Sequence, residues 1–214
     1  MERALIKGKG SRMIKERVKL HPTAEIGEGV EIGDGTKIWA QAQLGAGARL
    51  GANCVVGKGA YIDRGVRVGN NVMIHNYALL YRPLTVEDNV FIGPQVANAN
   101  DPTPIANVIR DTAKDPGTTF KKGCRIGMGA TLAPNLTIGE YAQVDMRALV
   151  TRDVPPHAIV RGVPAKIVGF ACFCGKKLGK HPEIQMGASI HHRCADSSCA
   201  KTVTIPLENY KRMK

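Results

Sequence analysis

Four of the six cysteines fall within 28 residues near the end of the chain. Cys172 and Cys174 form C-x-C, nineteen residues follow, and Cys194 and Cys199 form C-x4-C. Two such pairs of thiolates suit a tetrahedral metal ion, and four ligands leave no open position, so the metal would be structural. His191 or His192 could replace one sulfur. A second group sits mid-chain in "ANANDPTPIANVIRDT". There Asn100 is followed by Asp101, a carboxylate that could take a proton. Arg64, Arg82 and Asn100 are spaced 18 apart, with Tyr81 beside Arg82. Two guanidiniums in one column suit a diphosphate or a uronate carboxylate; the alternative is pairing with Asp63 or Glu87. His75, followed by Asn76, is a rival general base.

The spacing of 18 matters because the chain repeats every six residues. Aliphatic side chains recur at every sixth position from Leu20 to Ile92, thirteen times. The repeat breaks over residues 98–119 and resumes for six more, from Phe120 to Val150. Neither a helix (3.6) nor a strand (2) has this period. Six residues make one short strand plus one corner, and three such units make a triangular coil of 18. Stacked coils form a parallel β-helix, each burying its face against the next. The first hexad position fills the prism, and the fifth, small or branched, sits near a corner. Cys54 and Cys124 occupy that fifth position and are structural, not nucleophilic. Gly, Asn and Asp gather in the corners, where turn conformations are needed.

Composition limits the alternatives. With 43% hydrophobic residues in 214, one sizeable core forms, but aromatics are only 5%. The net charge of +12 is uneven: residues 1–19 carry +5 and residues 161–214 carry +7, so the stretch between is neutral. Basic ends are either solvated or attract a polyanion such as a nucleotide. No run of 18 apolar residues suggests a membrane span, and no signal peptide is legible, so a cytoplasmic protein with reduced cysteines is expected. A scaffold binding nucleic acid through its basic tail would need interleaved aromatics, which are missing.

The hexads, together with "DVPPHAIVRGVPAKIVG" (153–169), resemble the hexapeptide-repeat acyltransferases of the left-handed β-helix type, over residues 20 to about 169. The resemblance implies a homotrimer with acetyl-CoA in a groove between two prisms and the acceptor at the same seam. "HPTAEIGEGVEIGDGTKIW" and "IHNYALLYRPLTVEDNVFIGPQVANAND" look closest to bacterial enzymes that N-acetylate amino sugars on nucleotide carriers, the 3-amino uronates among them. In those, an Asn at the loop orients the amine, and Asn100 matches it. O-acetylating relatives carry a catalytic His near the start of this loop. None stands here, which favours an amine acceptor, since a neutral amine has a free lone pair and needs no strong base. In "GMGA", Gly129 and Ala130, with Ala148, would let the pantetheine arm approach, and Arg152, Arg161 and Lys166 would meet the 3′-phosphate. "DMRALVT" (145–151) departs from the small-residue pattern of many relatives.

The expected organisation is a basic segment (1–19), an all-β left-handed parallel β-helix (20–169) with an insertion at 98–119, and a zinc-ribbon-like Cys-rich tail (170–214). The expected activity is acetyl transfer from acetyl-CoA to the amine of a nucleotide-linked sugar. The rival enzyme is an O-acetyltransferase with His75 as base. A metal-dependent hydratase of the same prism, like the γ-type carbonic anhydrases, needs three converging histidines. His21, His75 and His157 are too far apart in register for that.

Overall fold

Two residues of strand followed by a four-residue corner recur from Met13–Ile14 to Leu149–Val150. The computed structural model describes residues 13–108, 111, 114–179 and 184–213. Most of the basic N-terminal segment, part of the insertion and Lys214 lie outside them. Successive strands fall in turn on three parallel sheets, the faces of a triangular prism. Face one runs from Met13–Ile14 to Thr137–Ile138, and face three from Glu25–Ile26 to Leu149–Val150; each has seven strands. Face two begins at Lys19–Leu20 and has nine, because Ala158–Arg161 pairs parallel to Gln143–Val144 and Lys166–Phe170 then turns back antiparallel. Partners are 18 apart: Ile14 with Ile32, Leu50 with Val68, Ile74 with Ile92.

The expected division of the hexad holds. Ile32, Ile62, Ile74 and Leu80 (first position) are buried, and so are Val30, Ala60 and Val72 (fifth). Cys54 and Cys124 lie in this core, and burial raises both thiols above the usual range. The third of the four corner residues adopts a left-handed conformation, as at Gly29 (φ 66°), Asn53 (φ 56°) and Asn135 (φ 60°). Gly and Asn tolerate it at little cost, which accounts for their enrichment in the corners.

The repeat runs one hexad further than the sequence suggests. The strand Ala97–Asn98 pairs with Leu79–Leu80 below and Thr131–Leu132 above, placing Asn98 in the aliphatic position of its coil. The register then jumps: Val86 pairs with Phe120, 34 residues away instead of 18, so sixteen residues are inserted. Asn98 is 1% exposed yet satisfied. Its Oδ1 accepts from Tyr81 N at 2.9 Å and its Nδ2 donates to Tyr81 O at 2.8 Å. An amide thus replaces backbone partners where the chain leaves the ladder.

Beyond Phe170 the chain forms three antiparallel strands, Ile184–Met186, Ser189–Arg193 and Thr202–Pro206, and a short helix, Leu207–Lys211. This appendage is pinned to the prism by aromatic contacts. The ring of Phe173 meets Tyr141 (4.8 Å) and His157 (4.7 Å) edge-on, and Phe170 packs on Tyr210 at 4.6 Å. His157 Nδ1 donates to Ala171 O at 2.8 Å.

Two predictions follow from this packing. Phe120, the largest fully buried side chain, closes the prism directly after the insertion. Phe120→Ala should cost about 3–5 kcal/mol in denaturant unfolding; a loss below about 1 kcal/mol would mean a looser interior. Burial also lowers the pKa of His157 below 6.5. Between that lowered value and about 6.5, the unfolded chain binds more protons than the folded one, so stability falls as pH drops through the window. His157→Gln should flatten the dependence of the urea midpoint on pH between about 7 and 5. An unchanged slope would remove His157 as its source.

Candidate functional site

The six-residue phase decides which corner each candidate occupies, and it divides them. Residues following face three form one edge of the prism: Arg64, Tyr81, Arg82, Asn100, Asp101 and Arg152. Residues following face two form another: His75, Asn76 and Gly129. Face three lies between. The column Arg64–Arg82–Asn100 therefore exists as the spacing predicts, but His75 is on a different edge.

On the first of these edges Asp63 is the hub. Its Oδ1 accepts from Tyr61 OH (3.0 Å) and Arg64 N (2.7 Å), and its Oδ2 from Arg82 N (3.3 Å). The Arg82 guanidinium lies 3.9 Å from Oδ2, so this arginine is partly committed to an internal carboxylate, whereas Arg64 is exposed with no ion pair among the described residues. Glu87, the other carboxylate considered, is held by Lys121 at 2.8 Å, which lowers its pKa. The Tyr81 ring lies tilted, 5.4 Å from that of Tyr61, whose pKa is raised by burial and then by Asp63. Asp101 Oδ1 accepts from Thr103 N, shaping the mouth of the insertion. Further along, the loop exposes Ile105 and Val108.

On the second edge, His21, Trp39, Gly57 and His75 occupy one column, a coil apart. Gly57 has no side chain between Trp39 and His75, and a cavity of about 450 Å³ opens there, lined also by Lys58 and Asn76. His75 packs against Phe91 at 4.9 Å, and its buried Nε2 has no hydrogen-bond partner. Asn76 Oδ1 accepts from Lys58 N at 3.0 Å. Sequence reasoning missed that Trp39, Tyr77, Met128 and Met146 form an exposed apolar series along this edge. The available signal was large apolar residues in corners that elsewhere carry Gly, Asn or Asp. His157 stands on the third edge. Among the described residues only the cysteine cluster gathers three or more metal-binding side chains.

The cosubstrate candidates also divide. Ala130 and Ala148 are corrected: both methyl groups point into the prism, 0% and 1% exposed, so neither lines a groove. Their fifth hexad position accounts for it. Gly129 is in a corner (φ 68°) on the His75 edge, and Arg161, above it, is bonded to Asp145 at 2.5 Å. Arg152 stands at the top of the Asn100 edge, and Lys166 pairs with Arg161 at the end of face two. Arg152 and Lys166 share a cavity of about 500 Å³ with Arg212, which sequence reasoning did not single out.

The cysteine cluster forms as predicted. The four Sγ atoms lie within 4.8 Å of one another, with Cys172–Cys199 and Cys174–Cys194 at 3.6 Å. A tetrahedral ZnS4 centre with Zn–S bonds of about 2.3 Å has sulfur–sulfur edges of about 3.8 Å, so the donor set fits zinc. Burial pushes Cys172 up to about 12, whereas the backbone N–H of Lys176 brings exposed Cys174 down to about 7. Lys176 also holds Asp196 at 2.8 Å, lowering that carboxyl to about 2. His191 and His192 are engaged elsewhere, with Thr204 and Tyr210, and do not replace a sulfur.

A profile of the family "Bacterial transferase hexapeptide (six repeats)" matches residues 29–64 and 47–82. Over 61 residues the chain is 44% identical to dTDP-3-amino-3,6-dideoxy-alpha-D-galactopyranose 3-N-acetyltransferase of Aneurinibacillus thermoaerophilus, covering 28% of this chain and 32% of that one. Over 87 residues it is 26% identical to galactoside O-acetyltransferase of Escherichia coli K12, covering 40% and 43%. These matches span less than half the length of either relative. Among solved structures, a mutant of AntD, an N-acyltransferase from Bacillus cereus in complex with dTDP and coenzyme A, shares the fold with a TM-score of 0.50 and 19% identity, over 72% of this chain and 80% of that one. By repeat, fold and relatives, the chain is a hexapeptide-repeat β-helix protein that resembles the N-acetyltransferases of nucleotide-linked amino sugars.

Proposed function

We propose that this protein transfers an acetyl group from acetyl-CoA to the amine of a nucleotide-linked amino sugar, as a cytoplasmic homotrimer. The observation that carries this reading is the 61-residue stretch 44% identical to a 3-N-acetyltransferase of such a sugar. The sugar amine attacks the thioester carbonyl, a C–N bond forms, the tetrahedral intermediate collapses, and the C–S bond breaks to release CoA thiolate. The amine proton leaves to Asp101 or to that thiolate. Asn100 orients the amine. Arg64, the freer of the two column arginines, and Arg82 hold the anionic part, with Tyr81 and Asn76 completing the acceptor site. Gly129, Arg161 and Lys166 lie along the donor path on one edge, Arg152 on another.

The division of the candidates between two edges supports the trimer. One prism keeps them apart, whereas a neighbour can bring its own edge to the exposed Trp39, Tyr77, Met128 and Met146. A structural zinc on Cys172, Cys174, Cys194 and Cys199 holds the appendage. A second reading, O-acetyl transfer to a hydroxyl, is favoured by one feature: an imidazole, His75, lines the cavity at Gly57 with its Nε2 unpartnered.

Three variants separate the two readings. Asn100→Ala should lower kcat by roughly 10- to 1000-fold through lost orientation. Arg82→Ala should mainly raise KM for the sugar, leaving KM for acetyl-CoA nearly unchanged. His75→Ala should matter little. A dead His75→Ala beside a nearly normal Asn100→Ala would move the assignment to a hydroxyl acceptor. Sedimentation should give a trimer; a stable monomer that binds acetyl-CoA normally would refute the seam. Elemental analysis of protein purified without chelator should find about one zinc per chain, lost in Cys172→Ser or Cys199→Ser. Absence of stoichiometric metal would refute that assignment.

A further inference from the structure

The four sulfurs of the appendage come from two loops, 172–176 and 194–199, and they meet in two pairs. Cys174 and Cys194 lie 3.6 Å apart, as do Cys172 and Cys199. Each pair takes one sulfur from each loop. Each also joins an accessible sulfur to a sheltered one: Cys174 is exposed and Cys199 half-buried, whereas Cys194 and Cys172 are buried. A thiolate within reach of a small oxidant thus stands beside a second thiolate that can resolve it.

Contacts other than a metal hold the two loops together. Lys176 Nζ in the first lies 2.8 Å from Asp196 Oδ2 in the second. Asp196 Oδ1 also accepts from Ser198 N at 3.0 Å and from Ser198 Oγ at 2.7 Å. The first loop is seated on face two of the prism. There Gln143 Nε2 donates to Gly175 O at 2.8 Å, and the Arg125 guanidinium lies so close that a Cβ at Gly175 would overlap it. Phe173, between the two cysteines of this loop, is fixed edge-on by Tyr141 and His157. With these contacts in place, the partner sulfurs still face each other when no metal ion joins them. A disulfide of about 2 Å then needs only a short approach.

We propose that Cys174–Cys194, followed by Cys172–Cys199, is an oxidation site for a small hydroperoxide, and that oxidation expels the zinc while both bridges keep the two loops joined. The proposal rests on the structural-zinc reading and is separate from acetyl transfer. The Cys174 thiolate attacks the peroxide: an S–O bond forms, the O–O bond breaks and hydroxide leaves, giving a sulfenic acid. The Cys194 thiolate attacks that sulfur: an S–S bond forms, the S–O bond breaks and a second hydroxide leaves. The two thiolates have given up two electrons, and the peroxide has become two hydroxides. The remaining pair of sulfurs is too small a donor set for a tetrahedral structural site, so zinc is lost. A second peroxide closes Cys172–Cys199 in the same way. Cys54 and Cys124, sealed in the prism core, stay reduced.

Titration of the full-length, zinc-loaded protein with hydrogen peroxide tests it, with a chromogenic chelator to read released metal and peptide mapping to read the bridges. About one equivalent per chain should release most of the zinc. Cys174–Cys194 should be the first bridge found and Cys172–Cys199 the second, with Cys54 and Cys124 still alkylable after unfolding. A dithiol with added zinc should restore the starting state. The mapping uses the unaltered chain, so no variant's folding enters it. Bridges within one loop, Cys172–Cys174 or Cys194–Cys199, would overturn the proposal, as would Cys174 carried to sulfinic acid beside a reduced Cys194. Zinc retained through several equivalents of peroxide would also overturn it and leave the structural metal standing. The same two bridges in a protein that holds no zinc when purified without chelator would uphold the oxidation site and remove the metal.

Discussion

Each prism strand bonds through its backbone to the strand one coil further on, as Gly57 N does to Ile74 O at 2.7 Å and His75 N to Ile92 O at 2.9 Å. That pairing fixes a coil at 18 residues, and the coil length fixes everything else. A coil of 17 or 19 would rotate every later aliphatic side chain out of the interior. Insertions are therefore tolerated only where the chain leaves and rejoins at matching points of the ladder. The sixteen residues after Asn98 do this, and Phe120 resumes the interior column above Val86.

The same constraint makes the edges of the prism the places for chemistry. Face residues alternate between interior and outside, with little freedom. Corner residues follow left-handed backbone and can carry any side chain the next coil leaves room for. Close stacking limits even these. A Cβ at Gly33 would sit 2.4 Å from the backbone of Gly51, so a side chain at this corner position requires a local adjustment of the coils. The column with His21, Trp39 and His75 has made that adjustment and gained a cavity at Gly57.

Much of the architecture was legible because the interior has one side-chain class and one period. Neither signal survived at Asn98, a polar residue in an aliphatic position, so the sequence appeared to break a hexad early. Its role depends on Tyr81, 17 residues away, which no local pattern reveals. The cysteine cluster was legible from thiol spacing alone, since four sulfurs need little beyond proximity. Ala130 and Ala148 misled because small size suits both a close approach from outside and a cramped corner inside; the hexad phase already favoured the inside. Arg212 was hidden among the basic tail residues until folding brought it beside Arg152 and Lys166.

The Arg64–Arg82–Asn100 column and the His75 cavity mark what one chain can and cannot complete. A buried imidazole nitrogen without a partner costs about 1–3 kcal/mol. An exposed apolar series along the same edge adds a further cost of hydration. A prism so tightly satisfied elsewhere, down to the amide of Asn98, carries both penalties on one edge. Contact with a second prism would relieve the apolar one, and a ligand or neighbour donating to Nε2 would relieve the polar one. Because face three separates that edge from Asn100 within a single chain, the same contact is what could bring the two halves of the proposed site together. On that argument assembly and activity share a cause: the surface that is costly to leave bare is the surface that the chemistry needs covered.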